Sequence, residues 1–205
     1  MSDHDGEPIP GLPAALPEGE TILWQGAPDW RSLARRAFHV RLLAGYFALL
    51  IGWRIAIAVG DATLPTIDAL AGPVILALVA MGLVCILAFL TARSTVYTIT
   101  SRRLVVRSGI ALPMTVNYPF TVLTAVALNE FPDGHGDLSI DLLRSERIGF
   151  LLNWPHVRPW HINHPQPTLR SIPASRVVGE LLADAASRSF ESSAAASVPS
   201  VGAVA

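Results

Sequence analysis

Two apolar runs, Phe38 to Val59 and Ala69 to Ala92, lie in the front half of the chain, parted by the short acidic stretch Gly60 to Asp68. A helix rises about 1.5 Å per residue, so about 20 apolar residues cross the hydrocarbon core of a bilayer. Each run is long enough, and the expectation is a transmembrane helical hairpin. The remaining chain is then a domain held at a membrane surface. Composition points the same way, with 51% hydrophobic residues against 15% charged ones and a mean hydropathy of +0.45, on the apolar side of a soluble domain.

The arginines set the orientation. Arg31, Arg35, Arg36 and Arg41 precede or open the first run, Arg93, Arg102, Arg103 and Arg107 follow the second, and the loop between holds Asp61 and Asp68 but no basic residue. The positive-inside rule then places both termini on the cytoplasmic side of a two-span protein. Arg54 lies inside the first run, where it either snorkels to the outer headgroups or meets another membrane protein. Met1 to Glu20 carries five acidic residues and no basic one, unlike a cleavable signal, so the first span is expected to stay in the membrane. Every basic residue is Arg, as expected of a GC-rich genome. A net charge of −1 gives no reason to expect a nucleic-acid partner. The single cysteine, Cys85, rules out an intrachain disulfide and a multi-cysteine zinc site.

Asp29 to Phe38 has the spacing of a short amphipathic helix at the headgroups. Trp24, Trp30, Arg35, Arg36 and Arg41 are the candidate membrane-interface residues, although packing against the cytoplasmic domain is an equal reading for both tryptophans. After the second run the period becomes strand-like: Thr95 to Thr100 and Leu104 to Arg107 make a hairpin, and Met114 to Tyr118, Val122 to Leu128, Leu138 to Leu143 and Ile148 to Asn153 follow. Asp133 to Asp137 is a turn whose spacing does not fit a calcium loop. Ala174 to Ser189 returns to helical spacing, with Val177, Val178, Leu181, Leu182 and Ala185 on one face. The expected fold class is α+β: a two-helix transmembrane hairpin followed by a small antiparallel β-sheet domain closed by a C-terminal helix. Its parts are an N-terminal segment over 1–28, an interfacial helix and hairpin over 29–92, the sheet domain over 93–189, and a disordered Ala/Ser/Val tail over 190–205.

This order, with strands beginning at Tyr97-Thr98-Ile99-Thr100-Ser101-Arg102-Arg103-Leu104, resembles bacterial membrane proteins that carry a pleckstrin-homology-like (PH-like) domain. Three further segments are Leu16-Pro17-Glu18-Gly19-Glu20 leading to Ile22-Leu23-Trp24-Gln25-Gly26, Arg35-Arg36-Ala37-Phe38-His39, and Trp154-Pro155-His156-Val157-Arg158-Pro159-Trp160. They are similar to the PuhB family of photosynthetic complex assembly proteins of purple bacteria, from about Leu16 to Ser187. That resemblance implies a non-enzymatic factor of the intracytoplasmic membrane that helps assemble the reaction centre and its light-harvesting 1 antenna. The implied partners are subunits of those complexes and the lipid bilayer, and no cofactor is implied. Two other readings stay open: a general membrane-associated PH-like scaffold and a bacteriochlorophyll-delivery protein. A homodimer is also open.

The side chains that carry chemistry form no local motif for catalysis or phosphate binding. Arg102 and Arg103 are expected near the membrane, without the wider basic cluster of a lipid-specific pocket. His156, His161 and His164 are set among prolines rather than at metal-ligand spacing. His39, at the cytoplasmic end of its span, either meets headgroups or ligates a pigment. Trp154, His156, Arg158 and Trp160 are the candidate partner-binding residues, because aromatic and Arg anchors on a stiff loop are what interfaces favour. The competing reading is that the two tryptophans complete the core of the sheet domain.

Overall fold

The computed structural model describes residues 11–12, 14–60, 67–143, 154–158 and 165–197. The chain divides into two units, Trp30–Ala92 on one side and Met1–Asp29 with Arg93–Ala205 on the other. The strand expected over Ile148 to Asn153 lies outside the described residues, as do Trp160, His161 and His164.

The first unit is helical. Helix α1 (Trp30–Arg36) buries Leu33 and Ala34 of its expected apolar face, together with Ser32, while Trp30 is exposed. It stops where the amides of Ala37 and Phe38 both donate to the Leu33 carbonyl, at 2.8 and 3.1 Å. His39 then takes a φ of 54°, a left-handed conformation uncommon outside glycine. Its carbonyl accepts from Leu42 and Leu43 and so starts α2 (Val40–Gly60). The His39 side chain turns back, Nδ1 lying 3.0 Å from the Ala37 carbonyl. Helix α2 and α3 (Ile67–Ser94) are both long and apolar enough to cross a membrane. Within α2 only Phe47 is buried, and Leu42, Leu49, Trp53 and Val59 all face outward. The buried residues of α3 are small: Ala77, Ala88, Thr91 and Ala92.

The second unit is a sandwich of two antiparallel sheets. One sheet has the order β1-β2-β3-β4 (Ile22–Gly26, Val96–Thr100, Arg103–Ser108, Met114–Pro119), and the other the order β5-β6-β7 (Leu123–Glu130, His135–Leu142, Thr168–Pro173). A single 3-10 turn, Phe120–Val122, carries the chain from one sheet to the other, with Phe120 fully buried at the corner. Strand β6 alternates in burial, Leu138 and Ile140 pointing inward, the period of two that a half-buried strand requires. The expected turn closes β5 on β6, the Gly134 amide donating to the Phe131 carbonyl at 3.0 Å with Gly134 at φ 75°.

Helix α4 (Ser175–Ser197) covers the core with Val178, Leu182, Ala185 and Ala186, against Tyr97, Ile99, Leu104, Val106, Tyr118 and Leu138 among others. Val177, expected on this face, points out instead, because the buried stripe runs through 178, 182 and 185. The helix also continues through Phe190 to Ser197, where a disordered tail was expected: Ala and Ser favour or tolerate helix, and nothing there stops it.

The structure divides the chain after Asp29, within one residue of the expected boundary at 28, but assigns the N-terminal segment to the sheet unit. The N-terminal segment is no separate arm, because β1 pairs with β2, Gly26 facing Tyr97 and Gln25 facing Thr98. The helical hairpin is therefore inserted into the β1–β2 connection of the sandwich. Glu20 secures the start of β1 by a two-pronged pair with Arg103, at 2.8 and 3.0 Å, geometry that a guanidinium and a carboxylate share.

Candidate partner-recognition site

The segment 154–158 is stitched to the entrance of β7. Val157 bridges Pro167, the Arg158 amide donates to the Gln166 carbonyl at 2.9 Å, and the Thr168 amide donates to the His156 carbonyl at 2.8 Å. Beneath the segment lies a buried polar relay. The Tyr97 hydroxyl accepts from the Arg170 amide at 3.1 Å and lies 2.7 Å from His156 Nδ1, while His156 Nε2 lies 3.1 Å from Thr95 Oγ1. The phenol oxygen can accept from the Arg170 amide and still give its one proton to Nδ1, and the bond is assigned in that direction. That assignment leaves Nε2–H to donate to Thr95.

The relay holds a neutral ring. Burial, and secondarily the nearby Arg170 cation, push the His156 pKa down to about 3, and burial raises that of Tyr97. The Arg170 guanidinium closes the other side, Nη2 donating to the Val157 carbonyl at 3.1 Å and Nη1 standing 3.6 Å from Asp137 Oδ2. Asp137 in turn accepts the Ser171 amide at 2.8 Å. These bonds join β2, the 154–158 segment, β6 and β7.

The segment has two faces. His156 is 3% exposed with both ring nitrogens engaged internally, so a partner-facing role is corrected to a fastening one. Of the cluster His156, His161 and His164, only His156 is described, and both its ring nitrogens have internal partners. Among the described residues no three histidine, cysteine, aspartate or glutamate side chains gather as metal ligands. Trp154 is 54% exposed. Arg158 is exposed too, and its Nη1 donates to Gln166 Oε1 at 2.9 Å, while Gln166 itself donates to Asp141. The outward surface is thus an indole and a guanidinium on a fixed backbone.

The expected interface residues separate. Trp24 packs on the sandwich core with its ring lying over Gly26, which makes it a packing residue. Trp30 stacks edge-on against Phe89 of the same helical unit, with ring centres 6.1 Å apart, and lies under the Arg31 guanidinium at 5.4 Å. Arg35 Nε donates to the Arg31 carbonyl at 3.1 Å, Arg36 is partly buried and Arg41 is exposed. Arg102 and Arg103 sit at the end of β2 opposite to its junction with α3. Five residues at about 3.3 Å each place them about 16 Å along the strand, so nearness to the membrane does not follow for them. The buried partners Tyr97, Arg170 and Asp137 were not read from the sequence. Arg170, a charge between the apolar Leu169 and Ile172, was the available signal.

A protein described as an uncharacterized 23.7 kDa protein in the puhA 5′ region of Rhodobacter capsulatus is 40% identical over 210 residues, covering 99% of this chain and 97% of that one. No solved structure matches. The family described as bacterial PH domain matches residues 39–186, a range that takes in both apolar helices and most of the sandwich but leaves β1 outside. With two sheets, a closing helix and that match, the chain belongs to the bacterial PH domain family.

Proposed function

We propose that this protein is a non-enzymatic membrane assembly factor for the photosynthetic reaction centre and its light-harvesting 1 antenna. In this reading it holds subunits of those complexes through its spans and its PH-like domain. The observation that carries the proposal is the location of the relative, in the puhA 5′ region, a photosynthesis gene region, joined to a hairpin that turns its large apolar side chains outward. Helices apolar all round and unburied need an apolar surrounding.

The topology supports a two-span arrangement. Strands of one sheet lie on one side of a bilayer, so the chain between β1 and β2 crosses an even number of times. The arginines flanking the hairpin favour the cytoplasmic side of an inner membrane for both ends. Gly45, Gly52, Gly72 and Gly82 have nothing within 4 Å of where a side chain would begin, which leaves their backbones open to close approach by a partner helix or a second copy. Trp154 and Arg158 offer the matching contact on the domain, and the relay beneath them serves as a support rather than as reacting groups.

The test is affinity purification of the tagged protein from mildly solubilised membranes of photosynthetically grown cells, with the protein content and near-infrared absorption of the eluate recorded together. Reaction-centre or antenna polypeptides are the expected result. Pigment without those polypeptides would replace the proposal with pigment delivery, and neither above an untagged control would leave a general PH-like scaffold. Arg158→Ala is expected to keep the protein abundant in the membrane while weakening capture.

A further inference from the structure

The connection between β3 and β4 reads Ser108-Gly109-Ile110-Ala111-Leu112-Pro113-Met114 and holds no charged residue. All four residues from Ile110 to Pro113 are exposed, and Leu112 is 85% exposed, an unusual setting for a large apolar side chain on a tight turn. The turn is built to present it. Gly109 has a φ of 128°, and a side chain there would meet the Leu112 carbonyl at 2.1 Å, so only glycine allows the backbone to fold back this closely.

The register fixes where this turn projects. Val96, the first residue of β2, pairs with Arg107, and Ser108 pairs with Met114. The turn therefore begins one residue past the level of Val96, one strand over, at a strand spacing of about 4.8 Å. Val96 is separated from the end of α3 by Thr95 alone. On the other flank Gly26, the last residue of β1, pairs with Tyr97 shortly before the chain enters α1. The end of the sheet that carries the turn is thus the end at which the chain passes to and from the hairpin.

We infer that the turn Ile110–Pro113 is a membrane-contact finger, with Leu112 and Ile110 seated in the headgroup and upper acyl region of the bilayer. The inference rests on the reading of α2 and α3 as membrane spans. A bilayer is the fitting occupant because the turn is apolar without a charged rim, and because the short tether to α3 holds it near the surface, so that contact is intramolecular and needs little intrinsic affinity. The finger fixes the domain at a point beyond its two covalent connections.

The test uses the full chain with Cys85→Ser and one new cysteine at a time, labelled with an environment-sensitive fluorophore. Each is reconstituted into vesicles of phosphatidylethanolamine and phosphatidylglycerol and challenged with doxyl-labelled lipid or aqueous iodide. Leu112→Cys is the reporter, with Ile110→Cys as a second reporter should the first fail to fold. Arg102→Cys, at the opposite end of the sheet, marks water, and Leu78→Cys in α3 marks lipid. The expected result is blue-shifted emission at Leu112 with loss of intensity to doxyl lipid and protection from iodide, as at Leu78. Iodide quenching at Leu112 equal to that at Arg102 would overturn the inference. Shielding from both quenchers would overturn it in favour of a protein contact. A Leu78 probe untouched by doxyl lipid would overturn the span reading and the finger with it, whereas lipid quenching at Leu78 without it at Leu112 would remove the finger alone.

Discussion

Leu182 in α4 and Leu78 in α3 are the same side chain in opposite situations, the first wholly buried against the two sheets and the second 66% exposed. The sandwich sorts its apolar residues by period, inward at 138 and 140 in β6 and at 178, 182 and 185 in α4. The hairpin instead turns nearly all of its large apolar residues outward, burying Phe47 and the small Ala77, Ala88 and Ala92. Apolar content alone therefore says little about where a core lies; periodicity separates a surface that water drives inward from one that needs an apolar surrounding.

The largest expected effect tests that contrast directly. Leu182→Ala should cost the sandwich about 2–5 kcal/mol through lost burial and a cavity, while Leu78→Ala should leave the same transition almost unmoved. Denaturant melts of both variants in mild detergent, followed by near-ultraviolet circular dichroism, would check this, and equal losses would break the comparison. Within the sandwich, Tyr97→Phe removes the hydroxyl that accepts from the Arg170 amide and donates to His156. A loss of about 1–3 kcal/mol is expected, together with faster hydrogen exchange at the Arg158 amide.

Acid should act on the sandwich through His156. Its pKa is depressed on folding, from about 6.5 for an ordinary histidine to about 3, so below pH 6.5 the unfolded chain binds a proton that the native ring refuses. Stability then falls as pH is lowered from about 6.5 towards 3, by at most about 1.4 kcal/mol per unit from this group, and this group adds no slope above 6.5. His156→Gln should be less stable at neutral pH yet flatter between pH 6.5 and 5 in the same melts. The smallest effect belongs to Arg176, whose pair with Glu130 at 2.6 Å is exposed. Arg176→Ala should leave the melting midpoint unchanged within error.

Much of this architecture is legible in the sequence where the signal is local. The two long helices appear as apolar runs, and the β2–β3 and β5–β6 hairpins appear as strand-like runs around polar turns. What escaped notice depends on distant pairing. Ile22–Gly26 is five residues long and its partner strand begins at Val96, so nothing nearby marks it as a sheet member. Thr168–Pro173 is bracketed by prolines, which read as loop. At the candidate site the types of residue were legible and their directions were not: a loop has no period, so the inward turn of His156 and the outward turn of Trp154 are settled by Tyr97 and Arg170, far away in sequence.

The insertion of the hairpin between β1 and β2 also imposes an order on synthesis. About 70 residues separate Gly26 from Val96, so a growing chain displays β1 long before its partner exists, and the first sheet stays incomplete until both apolar helices have been made. A hairpin that entered the bilayer by only one of its helices would strand β1 and β2 on opposite faces of the membrane, where no sheet can form. In the proposed two-span arrangement, completion of the sandwich therefore requires that both helices have crossed together.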